Sequence, residues 1–323
     1  VTASRLLFLL LLLLAGALLM PETARAQVSC TATHPTLNFG TIKVSTGSGA
    51  SDNGNIGYRC RNSGASTVAF TLCVAIGTPS APGTPSQPVL RGPGASTLDF
   101  NLSADPLSSD TWDASHPLSV PLSIAPRTTT TGTIPYYGHI PGNQASAVAG
   151  TYRASFGTTG LGYLTGSSCG KELGYTLPSF TLNVQARLGS ACVVSAGPNL
   201  IFGSAGGVAA GAPAVSGSDN IAVTCPNKTP YNVGLLPSDG NVGGVGSMKG
   251  TSGNTDTVQY QLYQDPALST TWGNTATRTL PGNGVHGIGN GTAQSLTVHA
   301  RTTSSINVTP DRYTDIVQID VNY

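Results

Sequence analysis

Charge is scarce in this chain: 9% of the 323 residues are Asp, Glu, Lys or Arg, and the formal net charge is +1. Holding phosphates takes a basic stripe, and none is present, which excludes nucleic acid as a partner. Aromatics are few at 6%, with two Trp and two Met. Beyond Met20 no apolar run is long enough to cross a bilayer as a helix. There is no CxxC pair and no Cys/His cluster at zinc spacing, so neither a metal nor a cofactor is expected. The surface must instead be built from Ser, Thr, Asn, Gln and the 41 Gly. That composition suits an exported protein packed among neighbours better than a cytosolic enzyme.

The start of the chain agrees with export. Residues 1–5, an apolar run over 6–20 and Ala24-Arg-Ala26 form the three parts of a secretory signal peptide, predicting a mature chain from Gln27. An uncleaved membrane anchor is the competing reading, and the small residues at Ala24 and Ala26 favour cleavage.

The rest repeats itself. Leu98-Asp-Phe-Asn-Leu102, Asp105-Pro106 and Trp112 recur as Val258-Gln-Tyr-Gln-Leu262, Asp265-Pro266 and Trp272, a shift of about 160 residues that marks a tandem duplication. Two domains are expected, residues 27–189 and 190–323, each large enough for its own core. The six Cys, in a chain addressed to an oxidising compartment, are expected to form disulfides. Cys30 precedes Phe39-Gly40 and is followed by Cys60; Cys192 precedes Phe202-Gly203 and is followed by Cys225. The repeat therefore predicts Cys30–Cys60 and Cys192–Cys225, leaving Cys73 and Cys169, found only in the first copy, as a third pair.

Alternation at period two dominates: Val68, Phe70, Leu72 and Val74; Phe180, Leu182, Val184 and Ala186; Val317, Ile319, Val321 and Tyr323. These read as half-buried strands. Residues 77–88, rich in Pro and Gly, read as an insertion loop, and no amphipathic helix is evident. The expected class is all-β: two tandem immunoglobulin-like antiparallel sandwiches. The first copy runs past Gly150-Thr-Tyr152 into the segment from Phe180, whereas the second has no such segment after Tyr313-Thr-Asp, so it is expected to be an incomplete sandwich lacking its last strand.

On Cys-x8-Phe-Gly at Cys30 and Cys192, the second Cys of each copy, the Asp-Pro and Trp pair and the final Tyr313-Thr-Asp strand, the chain resembles the spore coat protein U domain family, the pilin fold of archaic chaperone-usher pili. The resemblance implies an open apolar groove in the second copy, bordered by Val317, Ile319, Val321 and Tyr323, filled by the donor strand of the next pilus subunit. A free strand edge invites aggregation, so a periplasmic pilus chaperone is also implied, together with an outer-membrane usher. Phe180, Leu182, Val184 and Ala186 resemble a donor strand already attached in cis. After cleavage only Gln27-Val-Ser29 precede Cys30, too short to donate a strand. A two-domain subunit that accepts but does not donate resembles the tip adhesin of such pili, secreted through the periplasm to the cell surface.

Catalytic patterns are weak. Gly166-Ser-Ser168-Cys-Gly170 fits GxSxG and Gly282-Asn-Gly284-Val-His-Gly287 fits GxGxxG, but no helix follows either. His34, His116, His139, His286 and His299 lie scattered without an evident carboxylate partner. Asp105 and Asp265, each before Pro, fit turn capping better than catalysis or calcium binding, and the two Trp fit packing. A non-enzymatic subunit acting in surface attachment and biofilm formation is therefore expected; a structural coat or matrix protein of tandem domains is the alternative. Its contact face is placed in the connection over 157–178, where Leu161, Tyr163 and Leu164 sit among glycines, to meet an abiotic surface or a host receptor. The same three residues folding back on the sheet is the competing reading.

Overall fold

The computed structural model describes residues 27–43, 48–113, 115–164, 169, 175–176, 179–203, 214–303, 306 and 308–323, with the backbone alone at 158, 160–164 and 175–176. The expected signal peptide, residues 1–26, lies outside the described residues. Apolar side chains alternating with Ser, Thr and Asn produce strands, and a single 3-10 turn, Pro93–Ala95, interrupts them among the described residues.

In the first copy β1 (Val28–Ala32), β3 (Ala50–Asn62), β11 (Thr129–Ile140) and β9 (Asn101–Ser103) form one sheet in that order. The second sheet runs β10 (Leu118–Ile124), β4 (Val68–Ala75), β12 (Gly150–Leu164), β14 (Phe180–Leu188) and β2 (Thr36–Ile42). Strand β14 is antiparallel to β12 and parallel to β2. Side chains of both sheets, among them Leu37, Ile56, Phe100, Trp112, Tyr136, Tyr152 and Phe156, close one core.

Residues 77–88 do not form the loop expected from their Pro and Gly. They carry β5 (Thr78–Pro79), β6 (Gly83–Thr84) and the start of β7 (Gln87–Arg91), which lead on to β8 (Thr97–Asp99). Pro tolerates such edges because β5 and β7 each touch β12 only briefly. Nor is β4 half-buried: Phe70 to Val74 are all buried, Thr71 and Cys73 included. The strand has β10 on one side and β12 on the other, and Cys73 is bonded to Cys169.

The second copy has β15 (Val193–Ala196), β16 (Ser216–Thr224), β21 (Ala293–Thr302), β19 (Thr257–Tyr263), β18 (Val245–Gly250) and β22 (Tyr313–Thr314) in one sheet. Among the described residues its other sheet holds β20 (Val285–Ile288), β17 (Pro230–Leu236) and β23 (Gln318–Asn322). A separate core gathers Tyr231, Val233, Leu235, Tyr260, Leu262 and Trp272. Glycines recur opposite tyrosines: Gly54 pairs with Tyr136 and Gly246 with Tyr260, and each ring lies where a Cβ would stand, 2.4 and 2.3 Å away. The empty glycine face lets the ring lie flat over the neighbouring strand.

The copies meet at one joint beyond the Gly189-Ser-Ala191 connection. Asn227 donates its backbone N–H to Ala147 O at 3.1 Å and its side-chain amide to Ser146 O at 3.0 Å, and Gly291 lies against Ala145. All three expected disulfides are present: Cys30–Cys60, Cys73–Cys169 and Cys192–Cys225. Cys30 and Cys60 are directly opposed on β1 and β3. Among the described residues no helix is long and apolar enough to cross a membrane.

Candidate strand-binding edge of the second copy

The two copies can be superposed residue by residue through their shared motifs. Trp112 and Trp272 are buried and donate their indole N–H to Val74 O and Val233 O at 3.0 and 2.9 Å, so β4 and β17 are counterparts. Their partner strands then correspond as well: Leu161 on β12 is paired with Val74, and Val321 on β23 with Val233. Phe39-Gly40 on β2 matches Phe202-Gly203, with both glycines at positive φ, 66° and 87°. In the first copy that left-handed backbone sits where the register of β2 against β14 shifts.

At this position the copies diverge. In the first, the edge of β12 opposite β4 carries β14, whose Phe180, Leu182, Val184, Ala186 and Leu188 are 0 to 3% exposed. In the second, β22 pairs only with β18, and β23 only with β17. No strand occupies the other edge among the described residues. The consequence shows in burial: Tyr152, Ala154 and Phe156 on β12 are sealed, while Val317, Ile319 and Val321 are only half-buried against the second core. Tyr323, at the end of the same row, is 38% exposed.

The missing strand also explains the opposite wall. Among the described residues the one ladder partner of β2 is β14. Its counterpart Leu200-Ile-Phe202 has no such partner and forms no strand; Leu200 and Phe202 rest on the core, Phe202 lies 6.0 Å from Tyr260, and Ile201 is 73% exposed. An apolar edge thus runs between Leu200 and Phe202 on one side and Val317, Ile319 and Val321 on the other. Fully burying a side chain such as Leu or Phe contributes roughly 1.5–3 kcal/mol, so the four largest of β14 contribute roughly 6–12 kcal/mol. That is comparable to the whole stability of a typical domain, about 5–15 kcal/mol. The second copy forgoes a term of that size.

Leu161, Tyr163 and Leu164 stand on β12, not in the loop expected from their glycines. Residues 160–164 pair in register with Ala75 to Thr71 of β4. A continuous partner strand overrides the local glycine signal. Their side chains, and all of 165–178 apart from Cys169, Tyr175 and Thr176, lie outside the described residues.

The remaining candidates resolve into structural parts. Asp105 accepts N–H bonds from Leu107 at 2.8 Å and Asp110 at 2.6 Å; Asp265 accepts one from Thr270 at 2.7 Å. Both cap the turn before Trp, as expected. Burial pushes the Asp105 carboxyl up, and its backbone donors outweigh this to leave it below the usual range; the Thr270 N–H does the same at Asp265. The Gly282 to Gly287 pattern leads into β20, a strand, and offers no helix terminus to a phosphate. The GxSxG pattern lies outside the described residues except for Cys169. One histidine does have a carboxylate partner that sequence reading missed: His116 Nδ1 lies 3.0 Å from Asp113 Oδ1, three residues away on an exposed turn. His34 Nδ1 accepts the Thr181 N–H, and His286 Nδ1 lies 2.9 Å from Asn232 Oδ1.

Comparison with known proteins bears on the whole of this arrangement. No curated protein matches the sequence. The fold is similar to a chain of the CsuC–CsuE chaperone–tip adhesion subunit pre-assembly complex from archaic chaperone-usher Csu pili of Acinetobacter baumannii. Identity is 14% and the TM-score 0.51, covering 91% of this chain and 100% of that one. The CupB6 tip adhesin of Pseudomonas aeruginosa is similar at 10% identity and TM-score 0.34, over 92% and 95% of the two chains. Within the sequence, residues 18–159 and 179–320 each match the Spore Coat Protein U domain, the second match starting just ahead of β14. The chain belongs to the Spore Coat Protein U domain family.

Proposed function

We propose that this chain is a non-enzymatic, secreted tip adhesin of a chaperone-usher pilus, acting in surface attachment and biofilm formation. The observation that carries the reading is the difference at one edge: β14 seals β12 in the first copy, and among the described residues nothing pairs with the equivalent edge of β22 and β23 in the second. The second copy, residues 190–323, accepts the donor strand of the next subunit beside Val317, Ile319, Val321 and Tyr323. Until then a periplasmic chaperone covers the edge, and an outer-membrane usher directs assembly at the cell surface. The first copy, residues 27–189, completes itself with Phe180, Leu182, Val184 and Ala186.

Adhesion belongs to the first copy. Strand β12 starts next to the joint, where Val148 bridges to Asn227, and ends at Leu164, roughly 45 Å further along at strand rise. Leu161, Tyr163 and Leu164 therefore belong to the end remote from the fibre, the place for contact with an abiotic surface or a host receptor.

The test is periplasmic expression with and without the chaperone of the same system. A soluble one-to-one complex is expected, with a much smaller soluble fraction of the chain alone. A chain that accumulates to the same level as a stable monomer unaided contradicts the reading and favours a free-standing coat protein.

A further inference from the structure

The outer face of the sheet that β14 completes is polar, cationic and almost free of carboxylates. Inward residues of β12 and β14 are sealed in the core, so the alternate positions Thr151, Arg153 and Ser155, and Asn183, Gln185 and Arg187, face outward. Register sets Arg153 across from Gln185 and Thr151 across from Arg187. On the other edge of β12, Arg91 of β7 stands directly opposite Arg153. Like charges facing each other across a sheet are unfavourable, and this chain has only 15 cationic residues to place.

None of the three arginines has an ion-pair partner; among the described residues the one ion pair is His116 with Asp113. Across β2, β7, β8, β12 and β14 the single carboxylate is Asp99, opposite Val89 and unpaired. Two adjoining hollows of about 510 and 230 Å³ lie in this face and share Gln185. Arg153, Asn183 and Ser80 line the larger, Arg187, Asn38 and Thr151 the smaller. Neither has an aromatic or an acidic residue in its wall.

We propose that this face binds an acidic polysaccharide. Guanidinium groups pair in bidentate fashion with carboxylates, while amide and hydroxyl side chains hydrogen-bond to sugar hydroxyls. The lack of an aromatic stacking platform disfavours neutral sugars, and an open face along three strands suits a polymer lying across it. The site is on the flank of the first copy, separate from the far end of β12, and does not depend on the second copy accepting a strand.

Binding of the full mature chain to polygalacturonate, with dextran of similar length as the neutral control, tests this. Binding that weakens with salt and falls about tenfold or more in Arg153→Gln/Arg187→Gln is expected, with no binding to dextran. Both arginines are exposed, so the thermal midpoint should hold. Asn183→Asp, which leaves every cation in place and sets a carboxylate in the larger hollow, should weaken binding as well. Unchanged affinity in the double variant, equal binding to dextran, or equal binding to duplex DNA at matched charge overturns the proposal.

Discussion

Trp112 and Trp272 make the same pair of hydrogen bonds one repeat apart. Each indole N–H reaches the carbonyl of a valine in the neighbouring strand, Val74 or Val233, and each backbone N–H reaches a leucine carbonyl, Leu102 or Leu262, at 2.9 Å. The indole thus ties the two sheets of its sandwich together. Phe in its place removes that donor and leaves a smaller ring in a buried site, so Trp272→Phe should destabilise the second copy by about 1–3 kcal/mol and Trp112→Phe the first by a similar amount. Chemical unfolding monitored separately in the two copies measures both.

The duplication, the strands and the disulfide partners were legible in the sequence because each left a local mark: an alternating run, a paired motif, a Cys at matched spacing. Phe180, Leu182 and Val184 were legible as one face of a strand from their alternation, and all three are buried. Tertiary pairing hid the rest. The glycines around Leu161 signal a loop, yet residues 160–164 gain a full ladder with β4. The Pro-rich segment at 77–88 signals a loop too, yet attaches to the edge of β12. The glycines facing tyrosines could have been found only by knowing the strand register, as with Gly246 and Tyr260.

Gly246 is the substitution-sensitive member of that pair. A Cβ at 246 would stand 2.3 Å from the Tyr260 ring, and the Tyr260 hydroxyl donates to Asp315 at 2.5 Å, next to the open edge. Gly246→Ala should displace the ring and cost about 1–3 kcal/mol, read as a lower unfolding midpoint of the second copy.

Stability should fall at both ends of the pH scale. The carboxyls of Asp265, Asp256 and Asp311 are held below their usual value, chiefly by N–H or O–H donors from Thr270, Thr309 and Ser252 respectively. Their contribution is complete above the unfolded value of about 3.9 and is lost as pH falls through the lower folded values. Tyr260 is pushed up, first by burial and then by its bond to Asp315. Its contribution is present below about pH 10 and lost as pH rises further. Urea midpoints from pH 2 to 11 should show both flanks. Asp265→Asn should differ from the parent at pH 6 and approach it at pH 2, and Tyr260→Phe should flatten the alkaline limb.

The second copy, open at one edge, should depend more on its disulfide than the first. Closing a loop of 33 residues contributes about 3–4 kcal/mol in the chain-entropy model. Cys192→Ser/Cys225→Ser should therefore destabilise the second copy by that amount, seen as unfolding at a lower denaturant concentration, with the first copy unaffected. Limited proteolysis across a urea series reports each copy separately.

The joint is equally open to test. Gly291 has φ 79° and a Cβ there would come within 2.1 Å of Ala145 O, so Gly291→Val both strains the backbone and pushes the copies apart. Scattering curves should show a longer, more variable particle than those of the parent.

The most direct test of strand acceptance uses the chain's own strand. A synthetic peptide of Phe180–Leu188, the segment that completes the first copy, is added to the full chain, and amide hydrogen exchange is followed at Asp315, Ile316, Val317 and through β23. Capture with slowed exchange there, and no change in β12, is the predicted result. Exchange already slow without the peptide, or no capture at all, would contradict an open edge in the second copy and with it the pilus-tip role.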